Sequence, residues 1–318
     1  MNRLTVSASP HIHTSDSVRS IMLDVLIALI PAAVCGVYLF GIRSVLVLLV
    51  SVAACVLGEA LFEICAKRRI TVSDGSAAVT GLLLGLNLPS TIPLWMAAAG
   101  GLFAIIIVKQ IFGGLGKNFM NPALAGRCFM LIAWTGAMTT FALPFGADAI
   151  SSATPLAVMK SGAESLPPLY DAFIGRIPGC IGETSAAALI LGFAYLLIRR
   201  VVSPRTPVAF ILSFAALTYL FGPGSEGVSQ LEYTAYQICT GGLLLGAFFM
   251  ATDYVTTPTT PLGMTIFGIG CGVLTFIIRN FGGYPEGVSF SIILMNIASP
   301  LIESATVPKF FGKAGKKI

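Results

Sequence analysis

Long apolar stretches alternate with short polar interruptions along almost the whole chain. Ten stand out, at 20–40, 44–65, 75–89, 92–112, 121–139, 184–200, 207–223, 235–252, 261–279 and 287–303. Most approach the ~20 apolar residues that a helix needs to cross the hydrocarbon of a bilayer. The pattern predicts an all-α polytopic membrane protein of about ten transmembrane helices. The stretches at 75–89, 121–139 and 235–252 are short or rich in glycine. Ser76 to Pro89 would barely cross a bilayer as a regular helix. Pro31 predicts a kink in the first helix.

Composition narrows the class. Of 318 residues, 56% are hydrophobic and only 10% are charged. Soluble domains carry about 25% charged residues. This excludes a cytosolic enzyme, a disordered chain and a disulfide-stapled secreted module. Seven cysteines (Cys35, Cys55, Cys65, Cys128, Cys180, Cys239, Cys271) form no C-x-x-C pair. Most lie in apolar runs and are expected as reduced, buried thiols, with Cys180 set apart in a polar loop. Residues 1–18 are polar and lack an h-region, so no signal peptide is expected.

The net charge of +5 reflects topology and implies no nucleic-acid partner. With the N-terminus in the cytoplasm, 14 of the 19 Lys and Arg residues fall on the cytoplasmic side. Four (Arg43, Lys160, Arg176, Arg279) fall outside, and Arg127 lies within the fifth stretch. The positive-inside rule then places both termini in the cytoplasm and the one long loop, 140–183, on the outer side. A loop of this length is a natural place for function.

The chain also repeats itself. Thr80-Gly81-Leu82-Leu83-Leu84-Gly85 resembles Thr240-Gly241-Gly242-Leu243-Leu244-Leu245-Gly246. Pro93-Leu94 and Pro261-Leu262 follow, then Phe112-Gly113-Gly114 and Phe281-Gly282-Gly283, each just after a cation, Lys109 or Arg279. Residues 1–139 therefore read as an N-terminal arm and a first five-helix half, and 184–318 as a second half with a basic tail. An odd helix number inverts the second half, giving a 5+5 inverted repeat with broken helices. Such folds place ion or substrate sites near the bilayer midplane.

Candidate chemistry begins in the long loop. Asp148-Ala149-Ile150-Ser151-Ser152-Ala153-Thr154-Pro155-Leu156 is a small-residue turn with hydroxyls and a stiffening proline. It can be a surface turn. It can equally let a planar group approach the backbone, with Thr154 as a point of modification. Gly182-Glu183-Thr184-Ser185 opens the sixth stretch. The free N–H groups of a helix start suit a phosphate or an anionic ring edge, and Thr184 or Ser185 can serve as a plain cap.

Several motifs in order carry a resemblance. Ser9-Pro10-His11-Ile12, Asp74-Gly75-Ser76-Ala77, Lys109-Gln110-Ile111-Phe112-Gly113-Gly114-Leu115-Gly116 with Asn121-Pro122-Ala123, Pro178-Gly179-Cys180-Ile181-Gly182-Glu183-Thr184-Ser185 and Met250-Ala251-Thr252-Asp253 span nearly the whole chain. Together with Asp148 to Thr154 they resemble the RnfD/NqrB family. These are membrane subunits of the Rnf complex, an ion-translocating ferredoxin:NAD⁺ oxidoreductase, and, more distantly, of the sodium-pumping NADH:quinone oxidoreductase. D-x-x-(S/T)-G-A-T is the target of flavin transferases, which link FMN through a phosphoester to the last Thr. The resemblance implies covalent FMN on Thr154, with Asp148, Ser151, Ser152, Ala153 and Pro155 in the motif and Gly182, Glu183, Thr184 and Ser185 as contacts. Ser152 stands where the family usually has Gly. A threonine hydroxyl is a poor nucleophile unaided, so a separate flavin transferase is required. The resemblance further implies the cell (inner) membrane, partner subunits RnfA, RnfB, RnfC, RnfE and RnfG, and a second, non-covalent flavin such as riboflavin between the halves.

Ionisable residues within apolar stretches are functional candidates by default. They are Asp24, Glu59, Glu63, Arg127, Asp253 and Glu303. For Glu63, Arg127 and Glu303, pairing with another subunit or an interfacial position is the expectation. Asp253, with Thr252, Thr256 and Thr257 close by, offers hard oxygen ligands suited to Na⁺, and Glu59 is a second candidate for an ion path. His11 and His13 read as part of a structured arm and not as a metal pair. A Walker loop, a dinucleotide fingerprint and a cysteine cluster are all missing, which leaves NADH and ferredoxin chemistry to partners. A secondary transporter with an inverted repeat and no covalent flavin is the alternative, and it gives no reason for the Asp148–Thr154 loop.

Overall fold

A computed structural model describes residues 17–146, 151–152, 154–161, 167–224, 228–283 and 286–308, with backbone alone at 151, 152 and 161. Each of the ten apolar stretches contains helix. In order these are α1 (Val18–Phe40), α2 (Ile42–Cys65), α3 (Ser76–Leu86), α4 (Leu94–Gln110), α5 (Pro122–Ala133), α6 (Ala186–Ile198) and α7 (Arg205–Phe221). Then come α8 (Gln230–Cys239), α9, α10 (Pro261–Phe281) and α11 (Val288–Thr306). Helix α9 starts as Leu243–Leu245 and widens into π-helical turns over Gly246–Met250. The second part of α4, Phe103–Gln110, is also π-helical. Such wide turns occur often at functional sites.

Four helices, α1, α2, α10 and α11, are long and apolar enough to cross a membrane. Shorter apolar helices (α3, α4, α5, α6, α7) pack among them. The chain is an all-α membrane protein. Its only strands among the described residues are Phe141–Ala142 and Ser151–Ser152, which pair antiparallel with Phe141 opposite Ser152 and Ala142 opposite Ser151.

The short helices occupy the centre and the long ones turn apolar side chains outward. Leu84, Leu86 and Leu245 are fully buried, whereas Val34, Leu57 and Leu301 are exposed. Apolar lipid gives little drive for helices to associate, so close backbone approach must do it. Helix α3 meets α2 this way: a Cβ on Gly81 would lie 2.6 Å from Val52 Cα, and Ser51 Oγ donates to Gly81 O at 2.8 Å. Helix α10 meets α7 similarly, with Gly272 against Phe210 O. Helix α2 also packs on α4 and α3 on α5, while α7 packs on α9 and α9 on α11. Contacts of α1 with α6 and of α5 with α11 join these two groups.

The eighth stretch, short and rich in glycine, is broken at Thr240-Gly241-Gly242, with both glycines at positive φ. The fifth stretch, expected over 121–139, is helical only to Ala133, and a separate turn follows at Thr135–Met138. Pro31 and Pro300 lie within helices α1 and α11.

Candidate functional site

Thr154 sits at the start of a short helix, Pro155–Ser161. Proline suits this first position because its missing N–H would have no partner there. Ala157 N donates to Thr154 Oγ1 at 3.3 Å and Val158 N to Thr154 O at 3.0 Å. Thr154 and Pro155 are buried. The ladder from Phe141–Ala142 to Ser151–Ser152 ties the preceding chain to the end of the first half. Asp148 and Ala153 lie outside the described residues, as do Ser9, Pro10, His11 and His13.

Thr154 borders two cavities. The larger, about 840 Å³ including its open mouth, has Leu131, Met138, Phe141 and Phe290 as apolar walls and Arg127 and Glu286 as its charged groups. The smaller, about 290 Å³, is lined by Glu183, Thr184, Thr240 and Gly241. Ligand pockets combine apolar walls with a few polar groups. The lining of the larger cavity has that character, which is the chemistry a planar flavin attached at Thr154 would need.

Pro178, Gly179, Glu183 and Thr184 of the segment 178–185 line the smaller cavity. Ile181 N donates to Leu88 O at 3.0 Å and Gly182 N to Leu86 O at 2.8 Å, which fastens it to the end of α3. A side chain at 182 would collide with Leu86, since a Cβ there would lie 2.6 Å from Leu86 Cβ. Ser185 caps α6, accepting from Ala188 N at 3.3 Å. Thr184 is buried beside it, and its Oγ1 has no hydrogen-bond partner in the described structure. Cys180, expected in a polar loop, is instead buried.

Arg127 joins these parts. Its side chain on α5 lies 2.7 Å from Glu183 Oε1 and pairs with Glu286. It also donates to Asn87 Oδ1 at 2.8 Å and Ser289 Oγ at 3.2 Å. These partners all lie within the chain. Glu63 and Glu303 also stay at home: Glu63 accepts from Thr71 N at 2.9 Å, and Glu303 from Thr259 N at 2.8 Å. Cys180, Glu183 and Glu286 bring potential metal-binding atoms within 4.8 Å of one another. They converge on the Arg127 guanidinium, which already supplies the positive charge that a metal would bring.

The break between α8 and α9 borders the same site. The C-terminal end of α8 and the loop carbonyls receive Arg279: its guanidinium donates to Gln237 O (2.6 Å), Thr240 O (3.2 Å) and Gly241 O (3.1 Å). A cation there offsets the negative end of the helix dipole. Glu183 lies against the other side of the break, at the N-terminal end of α9, so close that a Cβ on Gly242 would be 2.5 Å from its Oε1.

A second polar cluster occupies the other end of α3. Glu59, on α2, pairs with Lys109 at 2.7 Å and accepts from Gln110 Nε2 at 2.6 Å. Lys109 also donates to Ser76 Oγ at 2.6 Å. Lys109 borders a cavity of about 750 Å³, counting its open mouth, together with Asn118, Asn121, Thr252 and Asp253. Asn118 Oδ1 is buried without a hydrogen-bond partner in the described structure. Asp253 accepts from Val255 N (3.3 Å) and Thr256 Oγ1 (3.2 Å), while Thr257 Oγ1 bonds its carbonyl and Thr252 Oγ1 turns back to Phe248 O. The four threonine and aspartate side chains thus do not all converge on one point. Asp24 accepts from Tyr195 Oη at 2.8 Å and pairs with Arg199.

Lys109 and Arg279 lie in the apolar stretches 92–112 and 261–279 and were counted by side as topology markers. Both are buried, inside α4 and α10. Their recurrence before the two Phe-Gly-Gly sequences was the available signal, since a cation repeated at one place in two apolar runs is rarely accidental. Glu286, in a short connection, gave no such sign.

Comparison with known proteins agrees with this picture. The family described as NQR2, RnfD, RnfE matches residues 5–312. Over 97% of this chain and 95% of the relative, it is 46% identical to the D component of the Na(+)-translocating ferredoxin:NAD(+) oxidoreductase complex of Acetobacterium woodii. It is 44% identical to the D component of the proton-translocating ferredoxin:NAD(+) oxidoreductase complex of Clostridium ljungdahlii, over 98% of this chain and 97% of the relative. It is 38% identical to the corresponding component of the ion-translocating oxidoreductase complex of Stutzerimonas stutzeri, over 93% of each. The match runs from the N-terminal arm to the end of α11, through both polar clusters, and the chain belongs to the NQR2, RnfD, RnfE family.

Proposed function

We propose that this chain is the RnfD-type membrane component of an ion-translocating ferredoxin:NAD⁺ oxidoreductase, that it carries FMN covalently on Thr154, and that it couples electron transfer to Na⁺ or H⁺ movement. The observation that carries the reading is the position of Thr154, whose short helix opens onto an apolar cavity walled by Arg127 and Glu286. Bound there, the flavin supplies one- and two-electron transfer. The chain's own residues hold and isolate it. Phe141, Phe290, Met138 and Leu131 exclude water, Pro155 fixes the attachment point, and the 178–185 segment lines the smaller cavity on the other side of Thr154.

Architecture supports a 5+5 inverted repeat of ten transmembrane segments, with α8 and α9 together as the eighth. The packing of α2 on α3 and α4 has its counterpart in α7 on α9 and α10, and α3 on α5 in α9 on α11. Lys109 reaches the start of α3, and Arg279 reaches the start of the Thr240–Gly242 break. Both termini then lie in the cytoplasm and Thr154 on the outer side, in the cell membrane. Ion passage would use Glu59 and Asp253 at the cytoplasmic end. The cavity between Lys109 and Asp253 is the place we assign to a second, non-covalent flavin such as riboflavin. Partners are the remaining subunits (RnfA, RnfB, RnfC, RnfE, RnfG), the flavin transferase and lipid. A secondary transporter would account for the broken helix but not for the cavity at Thr154.

Flavin fluorescence on a denaturing gel tests this reading. The band from a host that has the flavin transferase should glow under ultraviolet light, and Thr154→Ala should abolish the glow. A dark wild-type band from such a host overturns the covalent flavin.

A further inference from the structure

We infer that Arg127, opposed by Glu286, sets the reduction potential of the group carried on Thr154. The inference rests on the reading of Thr154 as a flavin site. Thr154, Arg127 and Glu286 border one cavity whose remaining walls are largely apolar. Charges are weakly screened in such surroundings, so a fixed charge on the wall acts strongly on an electron added inside.

The charges are arranged unevenly. Two carboxylates, Glu183 and Glu286, face the single guanidinium of Arg127. The second buried guanidinium, Arg279, directs its hydrogen bonds mainly to the carbonyls of Gln237, Thr240, Gly241 and Glu286. Arg127 is held in place by Asn87 and Ser289, so its charge cannot swing away from the cavity. A buried ion pair adds little stability over apolar residues of the same volume. Five partners committed to one cation beside the attachment threonine point to an electrostatic task. Without Arg127 the wall keeps the Glu286 carboxylate, with Glu183 on the adjoining cavity, and disfavours an added electron. Without the Glu286 charge it favours one.

The test is a redox titration of the purified complex, followed by flavin absorbance. The Thr154→Ala complex serves as the baseline that isolates this flavin by difference. Arg127→Gln should move the midpoint to lower potential, and Glu286→Gln should move it higher. Opposite signs separate a charge effect from loosened packing, which would disturb both variants alike. Unshifted midpoints, or shifts of the same sign, overturn the inference. Should Arg127→Gln fail to assemble, Glu286→Gln decides alone: a rise supports the inference and no rise overturns it. A dark wild-type gel band would instead remove the covalent flavin itself, which is a separate failure.

Discussion

Lys109 Nζ lies 2.7 Å from Glu59 Oε1, and both side chains are sealed from solvent. Neither charge has a second ionic partner among the described residues, although Ser76 and Gln110 add hydrogen bonds. Removing one member of a buried pair leaves the other charge uncompensated and costs about 3–5 kcal/mol. Lys109→Met should therefore lower the thermal stability of the complex sharply. The double variant Lys109→Met, Glu59→Gln should recover most of that loss, because no lone charge remains. Thermal unfolding of the four proteins in detergent gives the comparison, and equal losses in single and double variants would contradict it.

Thr184 and Ser185 are adjacent but do different work. Ser185 Oγ caps α6, so Ser185→Ala should cost about 1 kcal/mol, the usual value of a lost N-cap. Thr184 Oγ1 has no hydrogen bond to lose, so Thr184→Val should change stability little or raise it. The same hydroxyl borders the smaller cavity next to Thr154. If it touches the flavin, Thr184→Val will alter the flavin absorption spectrum while leaving the unfolding temperature in place. A Thr184→Val protein as destabilised as Ser185→Ala would show a structural bond that the geometry lacks.

How far the pattern along the chain reached can be judged from these clusters. Hydrophobic periodicity is local, so it located every main helix, including the short α3 that a length rule would discard. The break inside the eighth stretch was written as Thr240-Gly241-Gly242, and both glycines do adopt positive φ. Pairing between distant charges is not local. Glu59 on α2 and Lys109 on α4 are separated by the whole of α3, and Arg127 finds Glu286 only because α5 packs on α11. Counting cations by side assigned Lys109 and Arg279 to opposite faces of the membrane, because a charge at the end of an apolar run looks the same whether it faces water or a buried carbonyl. Cys180 misled for the converse reason: its polar neighbours fold under the ends of α3 and α5 instead of into solvent.

Gly242 should be intolerant of any side chain. Its φ is +68°, where an L-residue pays about 1–2 kcal/mol, and the added Cβ would meet Glu183 Oε1 at 2.5 Å. Gly242→Ala thus both strains the break and pushes Glu183 from Arg127. Gly283, by contrast, would bring no described atom within 4 Å of an added Cβ, and Gly283→Ala should be almost neutral. Unfolding temperatures of the two variants, with gel fluorescence to follow flavin retention, test the contrast. Equal behaviour would mean that the approach of Glu183 to the break is not maintained in the membrane.

Asp253→Asn isolates charge from shape. The carboxylate accepts from Val255 N at 3.3 Å and from Thr256 Oγ1 at 3.2 Å, and these bonds hold the turn after α9. Asparagine keeps an acceptor for the backbone N–H and loses only one weak bond, so the stability change should stay within about 1 kcal/mol. Asp253→Ala removes both bonds and should cost more. If Asp253 belongs to the ion path, both variants lose Na⁺-dependent or H⁺-dependent transport, whereas a purely structural aspartate would spare it in Asp253→Asn and lose it only in Asp253→Ala. Transport into vesicles, measured beside ferredoxin-dependent NAD⁺ reduction by the same complexes, distinguishes these cases. Continued electron transfer with transport lost in Asp253→Asn assigns the residue to ion movement. Unchanged transport in that variant would remove it from the path and leave Glu59, paired with Lys109, as the candidate carboxylate.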